Sequence, residues 1–469
     1  MAPHTELYLG ARRALNGTGL GKLEMPTHHL VTHGVVVGMT GSGKTGLLSV
    51  LLEEAARARI PSLVIDVKGD LPNLLLAFSN FESAPFVPWA ASLAEPNDDR
   101  SVEAIAQAFA DERKASLCSW GISEAMLKAY VSGVEPRVLT PGSSAGEPLH
   151  MLSGLERGGP SWTQDPEAAR ASLSAAVSLL LRLVGRDADP ARSKEHALLC
   201  ALAERRLRAA QSAELSQLIG DLQAPPIERI GALDVDEFVP KRDRSALAAS
   251  LNTLLASSTF ASWREGASLD IASWLTPTTG RTPLVIVSVA HLDDLERALV
   301  LGVLLEEVLT WMRSLSGSRR LRALIAFDEV YGFLPPHPAN PPTKAPLVAL
   351  LKQARAFGVG VLVATQNPMD LDYRALSNAG LWCIGRLQTD ADRARVVDGL
   401  QHAWQDQRAT PDLDRLIQRL APRWFLMRDA HDPSTPLLLQ PRWAMSFLRG
   451  PMTRAEIQRA RAAWVDGHG

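Results

Sequence analysis

The sequence has few of the features that mark membrane, secreted or metal-stabilised proteins. No apolar run approaches the roughly 18 to 20 residues that a membrane span needs. The opening residues, 1–6, lack the basic and apolar segments of a secretory signal. Cys118, Cys200 and Cys383 lie far apart and form no C-x-x-C or Cys/His cluster, which argues against a zinc site or a disulfide framework. These absences predict a cytoplasmic protein with no membrane association.

An excess of one charge is also absent. The 469 residues include 49 Lys and Arg against 51 Asp and Glu, a formal net charge of -2. The whole molecule therefore lacks the basic signature of a general nucleic-acid binder. A ring-shaped assembly around DNA would need only its inner surface to be basic. The hydrophobic fraction of 46% and the charged fraction of 21% are typical of a globular protein with a substantial core.

The strongest motif is a strand, a glycine-rich loop and a helix in succession. Residues 35–37 are three valines, typical of a buried strand, and residues 38–45 fit the G-x-x-x-x-G-K-[ST] pattern of a phosphate-binding loop. Glycines let consecutive backbone N–H groups point at a polyphosphate, and the following helix adds the positive end of its dipole. The predicted phosphate-binding residues are Gly38, Thr40, Gly41, Ser42, Gly43, Lys44, Thr45 and Gly46.

Two side chains of this loop have specific expected roles. Lys44 is expected to reach the β- and γ-phosphates, and the Thr45 hydroxyl is expected to bind Mg²⁺. The guanine-reading pattern N-K-x-D is absent from the sequence, which favours ATP over GTP. The predicted cofactors are therefore ATP and Mg²⁺.

Polar residues follow several buried strands of the sequence. Continuous apolar strands that alternate with helices predict an α/β fold with a mostly parallel sheet covered on both faces. Ligands of such sheets bind at the carboxyl ends of the strands. The polar residues expected at that edge are Asp66, Asp328, Glu329, Gln366 and Arg386.

Hydrolysis of a γ-phosphate needs a metal, a group that activates water and a cation. Asp328 is suited to position Mg²⁺ indirectly, by holding the direct ligands of the ion. Glu329 is suited to polarise the attacking water. Gln366 could sense the γ-phosphate or could be a hydrogen-bonded core amide. Arg355, just before an apolar strand, is by its position alone no different from an exposed helix charge.

Composition divides the chain into five segments. Ala-, Leu-, Arg- and Glu-rich stretches interrupt the strand pattern in the middle of the chain and predict a helical insertion. This insertion could be a lid, a subunit contact or a substrate-gripping element. The predicted segments are a lead-in with one strand at residues 6–9 (1–30), the first part of the core (31–160), the helical insertion (161–280), the second part of the core (281–400) and a C-terminal segment that completes the core and makes subunit contacts (401–469).

Several motifs taken together resemble the HerA/FtsK superfamily of hexameric translocase ATPases, and within it the bacterial branch of HerA-like proteins. The resemblance covers about residues 31–160 and 281–400, and the order of the motifs carries it more than any single one. The matching stretches are Thr40 to Thr45, Asp66 to Asp70, Phe327 to Glu329, Arg355 to Gly360, Ala364 to Pro368 and, more weakly, Pro441 to Pro451.

The resemblance implies a RecA-like P-loop NTPase core in a six-membered ring, with ATP at the subunit interfaces and double-stranded DNA in the channel. It also implies roles for residues at matching positions. By this resemblance Lys44 and Thr45 bind phosphate and Mg²⁺, and Asp66 is an additional acid near the metal. Glu329 is the catalytic base and Gln366 is the sensor. Arg355 is an arginine finger that acts on a neighbouring subunit, and Arg386 is a second candidate for that role.

The leading functional expectation is a HerA-like motor that hydrolyses ATP to translocate or remodel double-stranded DNA. A nuclease or another effector is the expected partner, in repair or phage defence. Two other classes stay open. One is an ATPase that moves protein, as in conjugation and secretion machines, and the other is an ATP-switched scaffold that activates an effector without translocating.

Overall fold

The computed structural model describes residues 5–93, 99–157, 162–163, 165–376, 379–401 and 413–468. Part of the predicted C-terminal segment, residues 402–412, lies outside the described residues. Within them the chain alternates strands and helices as the apolar runs of the sequence predict. Thirteen strands form one sheet, and two more form a separate short hairpin.

The strands alternate with helices over most of the chain. They are β1 (Glu6–Arg13), β2 (Gly19–Pro26), β3 (Gly34–Val37), β4 (Ser62–Asp66), β5 (Val134–Pro141), β6 (Glu147–His150), β7 (Arg229–Ile230), β8 (Leu233–Asp234), β9 (Ala267–Ser268), β10 (Thr282–Ser288), β11 (Ala323–Asp328), β12 (Val359–Thr365), β13 (Leu381–Ile384), β14 (Phe425–Asp429) and β15 (Leu437–Pro441). Strands β3, β4 and β10 to β13 coincide closely with the apolar runs of the sequence.

The large sheet has a parallel centre and an antiparallel flank. Its strand order is β2-β1-β15-β14-β13-β3-β12-β11-β4-β10-β5-β6-β9. All pairings from β13 through β3, β12, β11, β4, β10, β5 and β6 to β9 are parallel. The pairings that join β2, β1, β15, β14 and β13 are antiparallel. The predicted α/β fold with a mostly parallel sheet is therefore confirmed.

Both faces of this sheet are buried. Val35 and Val37 of β3 belong to one core, whereas Val36 between them belongs to the other. Strand β4 divides in the same way, with Ile65 in the first core and Val64 in the second. Successive side chains of a strand point to opposite faces, so strands covered on both sides need apolar residues at every position. This requirement explains the unbroken valine and isoleucine runs.

Helices cover the two faces of the sheet. Helices α6 and α14 pack on α13 at one face, and α1 and α4 pack together at the other. The helices are α1 (Lys44–Arg57), α2 (Val87–Leu93), α3 (Val102–Ser119), α4 (Glu124–Gly133), α5 (Ser153–Arg157), α6 (Pro166–Leu183), α7 (Lys194–Arg208), α8 (Leu215–Gln223), α9 (Val235–Phe238), α10 (Lys241–Ala256), α11 (Ala261–Arg264), α12 (Ile271–Leu275), α13 (Asp294–Ser314), α14 (Lys344–Gln353), α15 (Tyr373–Leu376), α16 (Asp390–Gln401), α17 (Leu413–Arg419) and α18 (Arg454–His468).

The segment from α6 to α12 is mainly helical, as the composition predicts, but it shares its core with the sheet. Leu180 of α6 and Leu251 of α10 are fully buried in the same core as Val285 of β10. The segment also returns to the sheet, because β9 pairs with β6 at the edge. The division of this segment from the core at residues 161 and 280 stays a prediction.

The lead-in is a β-hairpin and not the single short strand predicted at residues 6–9. Strand β1 runs on to Arg13 and pairs with both β2 and β15. The second strand contains Gly19 and Gly21, and most of its residues are exposed. Glycine is rare in strands, and an exposed edge strand carries little apolar pattern. The hairpin extends the antiparallel flank of the sheet.

A buried arginine joins the C-terminal segment to the first strand and helix. Arg442 is fully buried, and it donates to the carboxylates of Glu53 at 3.0 Å and Glu54 at 2.8 Å. It also donates to the carbonyl oxygens of Tyr8 and Trp443. A guanidinium can serve four acceptors in a fixed plane, whereas an ammonium is a point donor with three N–H groups. This geometry fixes the chain beside residue 442 against α1.

Arg442→Lys is expected to lower the free energy of unfolding by about 2 kcal/mol, because a lysine cannot satisfy both buried carboxylates and both carbonyls. The midpoint of urea unfolding measures this change. Arg170→Lys is the matched control, since Arg170 forms an exposed ion pair with Glu204 and such pairs contribute little. Equal midpoints for the two variants would contradict the role assigned to Arg442.

Candidate active site

The glycine-rich loop lies between the carboxyl ends of two neighbouring strands. Strand β3 ends at Val37 and helix α1 begins at Lys44. The loop N–H of Gly38 donates to the carbonyl of Thr365 at the end of β12, and the N–H of Met39 donates to the carbonyl of Arg386 beyond β13. The carboxyl ends of parallel strands meet at one edge of the sheet, so the loop and the residues after β12 and β13 share one site.

Two glycines of the loop are required by its shape. Gly43, the residue before α1, has a φ of 94°, which is left-handed backbone that favours glycine. A Cβ atom at Gly43 would lie 2.9 Å from Cγ of Arg423. At Gly38 a Cβ atom would lie 2.6 Å from Oγ of Ser42. The tight loop therefore brings its backbone close to its neighbours on both sides.

Lys44 is buried at the start of α1 and points back into the loop. Its ammonium donates to the carbonyl oxygens of Gly38 and Met39, the latter at 3.0 Å. Burial lowers the pKa of Lys44 to about 8, and the negative charge of Glu329 opposes that shift. An ammonium has three N–H donors, and two of them bind the loop carbonyls. One N–H group of Lys44 therefore remains for another acceptor. Lys44 is thus placed to donate to an anion at the loop.

Glu329 lies one residue beyond the end of β11, in a left-handed conformation with a φ of 63°. Its Oε2 atom accepts from the Lys68 ammonium at 2.6 Å. Its Oε1 atom accepts from the Thr365 hydroxyl at 3.0 Å and from the Gln366 backbone N–H at 3.1 Å. A carboxylate offers about four acceptor positions, so these three donors orient Glu329 and leave capacity for one more. A water molecule is a suitable fourth donor.

Gln366 links the end of β12 to the loop. Its Oε1 atom accepts from the Thr40 hydroxyl at 2.8 Å, and its backbone N–H binds Glu329. The side chain is half-buried and is not an amide enclosed in the core. One residue therefore touches both the phosphate-binding loop and the carboxylate that is suited to activate water. A sensor role for Gln366 stays a prediction that this contact favours.

The two aspartates at the strand ends have different surroundings. Burial, followed by the negative charge of Asp66, raises the pKa of Asp328 to about 7. Burial also raises the pKa of Asp66 to about 6. Both oxygens of Asp66 bind protein donors, with the Gly69 N–H at 2.9 Å and the Ser288 hydroxyl at 2.7 Å. Asp66 therefore shapes the turn that carries Lys68, and its predicted place near a metal stays a prediction.

The residues predicted to bind Mg²⁺ fit that ion by their chemistry. Mg²⁺ takes oxygen ligands and commonly uses one or two carboxylates, and Thr45 and Asp328 supply a hydroxyl and a carboxylate. The Oδ2 atom of Asp328 is buried without a hydrogen-bond partner among the described residues. A buried carboxylate oxygen in this state needs an explanation, and a bound cation would supply one.

Arg355 lies at the amino-terminal ends of the parallel strands, whereas the loop lies at their carboxyl ends. It belongs to a turn, Ala354–Phe357, that precedes β12, whereas Gln366 follows that strand. The seven residues of β12 span about 20 Å, which is longer than an arginine side chain. Arg355 therefore cannot reach the loop of its own chain. Arg386, by contrast, is exposed and follows β13 directly beside the loop.

An open groove of about 880 Å³ surrounds Arg355. Its cationic and imidazole side chains are Arg319, Lys352, Arg355, His28 and His431, and no acidic side chain lines it among the described residues. The three cations are exposed. A groove with this lining is suited to a negatively charged group from another molecule.

Sequence reasoning missed three residues of the site. Lys68 was visible only as part of the run after β4, and its ion pair with Glu329 depends on the parallel pairing of β4 and β11. Thr365 appears in sequence as the last residue of a strand. Arg423 carries no motif, although its N–H donates to the carbonyl of Ser42 in the loop. Only the folded chain brings these residues to the loop.

Comparison with known proteins agrees with these motifs. Residues 13–81, which contain the glycine-rich loop and the run after β4, match the family model described as Helicase HerA-like C-terminal. The structure of VirB4 from Thermoanaerobacter pseudethanolicus has the same fold, with a TM-score of 0.51, 13% sequence identity, and coverage of 94% of this chain and 96% of that chain. The match over residues 13–81 supports the predicted resemblance to the HerA/FtsK superfamily of P-loop ATPases. Its core is RecA-like.

Two further solved structures have lower TM-scores. The bacterial conjugative coupling protein TrwB, lacking 70 N-terminal residues and unbound, has a TM-score of 0.48 at 14% identity, with 94% of this chain and 91% of that chain covered. TrwB in complex with ADP and Mg²⁺ has a TM-score of 0.48 at 13% identity, with 96% and 98% covered. No curated protein matches the sequence significantly.

In the described part of the chain, no helix combines the length and apolarity needed to cross a membrane.

Proposed function

We propose that this HerA/FtsK-type chain hydrolyses ATP with Mg²⁺ and uses the energy to translocate or remodel double-stranded DNA. The working form is a ring of copies, a hexamer in this proposal, located in the cytoplasm. A nuclease or another effector protein is the proposed partner, in repair or phage defence. The proposal goes beyond the resemblance to the superfamily, because it assigns a reaction, a polymer substrate and an assembly.

The single observation that supports hydrolysis is the hydrogen-bonded path from Glu329 to the phosphate-binding loop. Glu329 binds the backbone of Gln366, and the side chain of Gln366 binds Thr40 of the loop. A loop that only bound a nucleotide would not need an oriented carboxylate beside it. A water-activating base must lie within reach of the water that attacks the γ-phosphate. The position of Glu329 beside the loop supports this role.

The residues of the site then have separable tasks. The backbone of the loop and the ammonium of Lys44 bind the polyphosphate, and Thr45 and Asp328 hold Mg²⁺, which neutralises charge on the phosphates. Glu329 accepts the proton of the attacking water through its Oε2 atom, which otherwise accepts from Lys68, while Thr365 and Gln366 hold the Oε1 atom in place. Gln366 couples the state of the loop to the end of β12.

Arg355 is proposed to act on the site of a neighbouring copy. The groove that contains it has three exposed cations and no acidic lining among the described residues, which suits the negatively charged phosphates of another subunit's site. A cation that approaches the γ-phosphate stabilises the charge that develops during transfer. Its position before β12, far from its own loop, supports action on a neighbouring copy.

A protein-moving ATPase is the second candidate. The fold that the chain shares with VirB4 over 94% of its length is compatible with this alternative, as is a scaffold that uses ATP as a switch. The net charge of -2 is likewise compatible with both. The polymer that stimulates hydrolysis distinguishes these classes, since only the first responds directly to DNA.

The test is the ATP hydrolysis rate with increasing linear duplex DNA, measured at low and moderate salt together with the mass of the particle. Duplex DNA is expected to raise the rate, and the stimulation is expected to fall steeply with salt because phosphate contacts release counterions. The expected particle contains six copies. A rate indifferent to duplex DNA at both salt concentrations would overturn the DNA assignment and favour a protein substrate or a switch.

Lys44→Ala is expected to weaken ATP binding at least about tenfold, because it removes a charge-assisted hydrogen bond to phosphate. Isothermal titration with a slowly hydrolysed ATP analogue measures this loss. Lys128→Ala on α4 is the matched control, since Lys128 is exposed on another helix. If both variants bind the nucleotide like the wild type, the loop is not the phosphate site.

A further inference from the structure

An exposed tryptophan lies beside the phosphate-binding loop. The residue Trp443 is 44% exposed, which is unusual for a large aromatic residue. Its backbone is nevertheless fixed on both sides. The neighbouring Arg442 is buried against Glu53, and the same carboxylate accepts the N–H groups of Met445 and Ser446. A rigid backbone that presents an exposed aromatic ring is typical of a binding surface.

Arg423 connects this ring to the loop. The Arg423 guanidinium carbon lies 3.3 Å from the centroid of the Trp443 ring, a stacked arrangement. The backbone N–H of Arg423 donates to Ser42 of the loop at 2.9 Å, and its side chain packs against Gly43. A single arginine thus separates the tryptophan from the residue before α1. The ring and the phosphate-binding backbone are thus connected through one side chain.

The surroundings of Trp443 leave room for a planar group. Trp443 forms part of an open groove of about 240 Å³ whose other walls include Phe109, Leu117 and Phe447. This volume is below the roughly 300 to 1,000 Å³ of sites for drug-sized ligands, so it suits a single ring system with its sugar. At the first turn of α1, a Cβ atom on Gly46 would meet nothing within 4 Å, which leaves the backbone there open.

We propose that Trp443, backed by Arg423, is the surface on which the base of the bound nucleotide stacks. The inference rests on the proposed function, because it assumes that the loop holds the phosphates of ATP. Every base presents a π-face, so an aromatic ring and a guanidinium plane beside a phosphate site suit a nucleobase. The loop then fixes the phosphate end of the ligand and Trp443 fixes the other end.

The experiment compares two ligands that differ by the presence of a base. ATP and inorganic triphosphate are titrated with Mg²⁺ into the wild type and into Trp443→Ala. Loss of one base stack is expected to weaken ATP binding about tenfold and to leave triphosphate binding within about twofold. Trp443→Phe is expected to retain most of the ATP affinity. Equal ATP affinity in Trp443→Ala and the wild type, or equal losses for both ligands, would overturn the inference.

A second variant and a spectroscopic signal guard against a folding defect. Trp443→Leu keeps apolar bulk but has no π-face, so the same selective loss of ATP affinity is expected. A fluorescent etheno-adenine analogue of ATP should be quenched on binding to the wild type and not on binding to Trp443→Leu. If Trp443→Leu changes only the mass of the particle, the ring is a contact between copies and the inference is wrong.

Failure of the proposed function has a different signature. If neither ATP nor triphosphate binds the wild type in a way that depends on Lys44, the loop holds no polyphosphate and both proposals are wrong. If both ligands bind through Lys44 but ATP has no advantage that depends on Trp443, only the base-stacking inference is wrong.

Discussion

Glu329→Gln is expected to lower the rate of ATP hydrolysis about 1,000-fold while ATP still binds. Glutamine has nearly the same shape, and its amide oxygen can still accept from Thr365 and from the Gln366 N–H, as Oε1 of Glu329 does. It cannot take a proton from water. Single-turnover hydrolysis measures the loss of rate, and equilibrium titration measures the retained affinity.

Glu82→Gln is the control for this substitution, because Glu82 is exposed and distant in sequence from the loop. It should hydrolyse ATP at the wild-type rate. The base assignment fails if Glu329→Gln keeps more than about a tenth of the wild-type rate, because a missing general base costs more than that. Loss of both binding and hydrolysis would instead indicate that the ion pair with Lys68 supports the fold of the site.

Arg355→Ala is expected to lower hydrolysis by roughly 1,000-fold or more, the range for a cation supplied to the γ-phosphate by a neighbour. ATP binding to the variant should change little, because Arg355 lies at the far edge of the sheet from its own loop. Steady-state hydrolysis and equilibrium binding measure the two effects. The mass of the particle should be unchanged.

The control is Arg320→Ala, an exposed arginine next in sequence to the groove residue Arg319. It should leave hydrolysis unchanged within about twofold, since a surface charge outside the groove contributes little. Arg386 beside the loop is the competing candidate. If Arg355→Ala hydrolyses ATP normally and Arg386→Ala does not, the stabilising cation comes from the same chain and the assignment to Arg355 is wrong.

The nucleotide-binding edge could be predicted from sequence because its signals are local. The loop pattern and the apolar run before it fix a strand, a turn and a helix within about 20 residues. The sheet with two buried faces could also be predicted, because the interior positions of β3, β4, β10, β11 and β12 form apolar runs. Parallel strands then had to bring Glu329 and Gln366 to one edge, and the structure has them 3.1 Å apart, from carboxylate oxygen to backbone nitrogen.

The rest depended on contacts between distant parts of the chain. The exposed strand β2 has glycines and little apolar alternation, so the hairpin at the start of the chain gave no local signal. Arg423 and Trp443 reach the loop through the antiparallel flank of β14 and β15. No motif marks Arg423, and Trp443 lies only in the weakly matching stretch Pro441 to Pro451. The pairing of Lys68 with Glu329 likewise follows from strand order, which a single sequence does not reveal.

The most direct test of the account mixes two inactive variants. Glu329→Gln and Arg355→Ala are produced together so that they assemble into common particles, and ATP hydrolysis is compared with each variant alone. Interfaces that pair an intact Glu329 with an intact Arg355 from the other variant should restore about a quarter of the wild-type rate, as random assembly of head-to-tail copies gives. A mixture no more active than the separate variants would contradict an active site shared between copies.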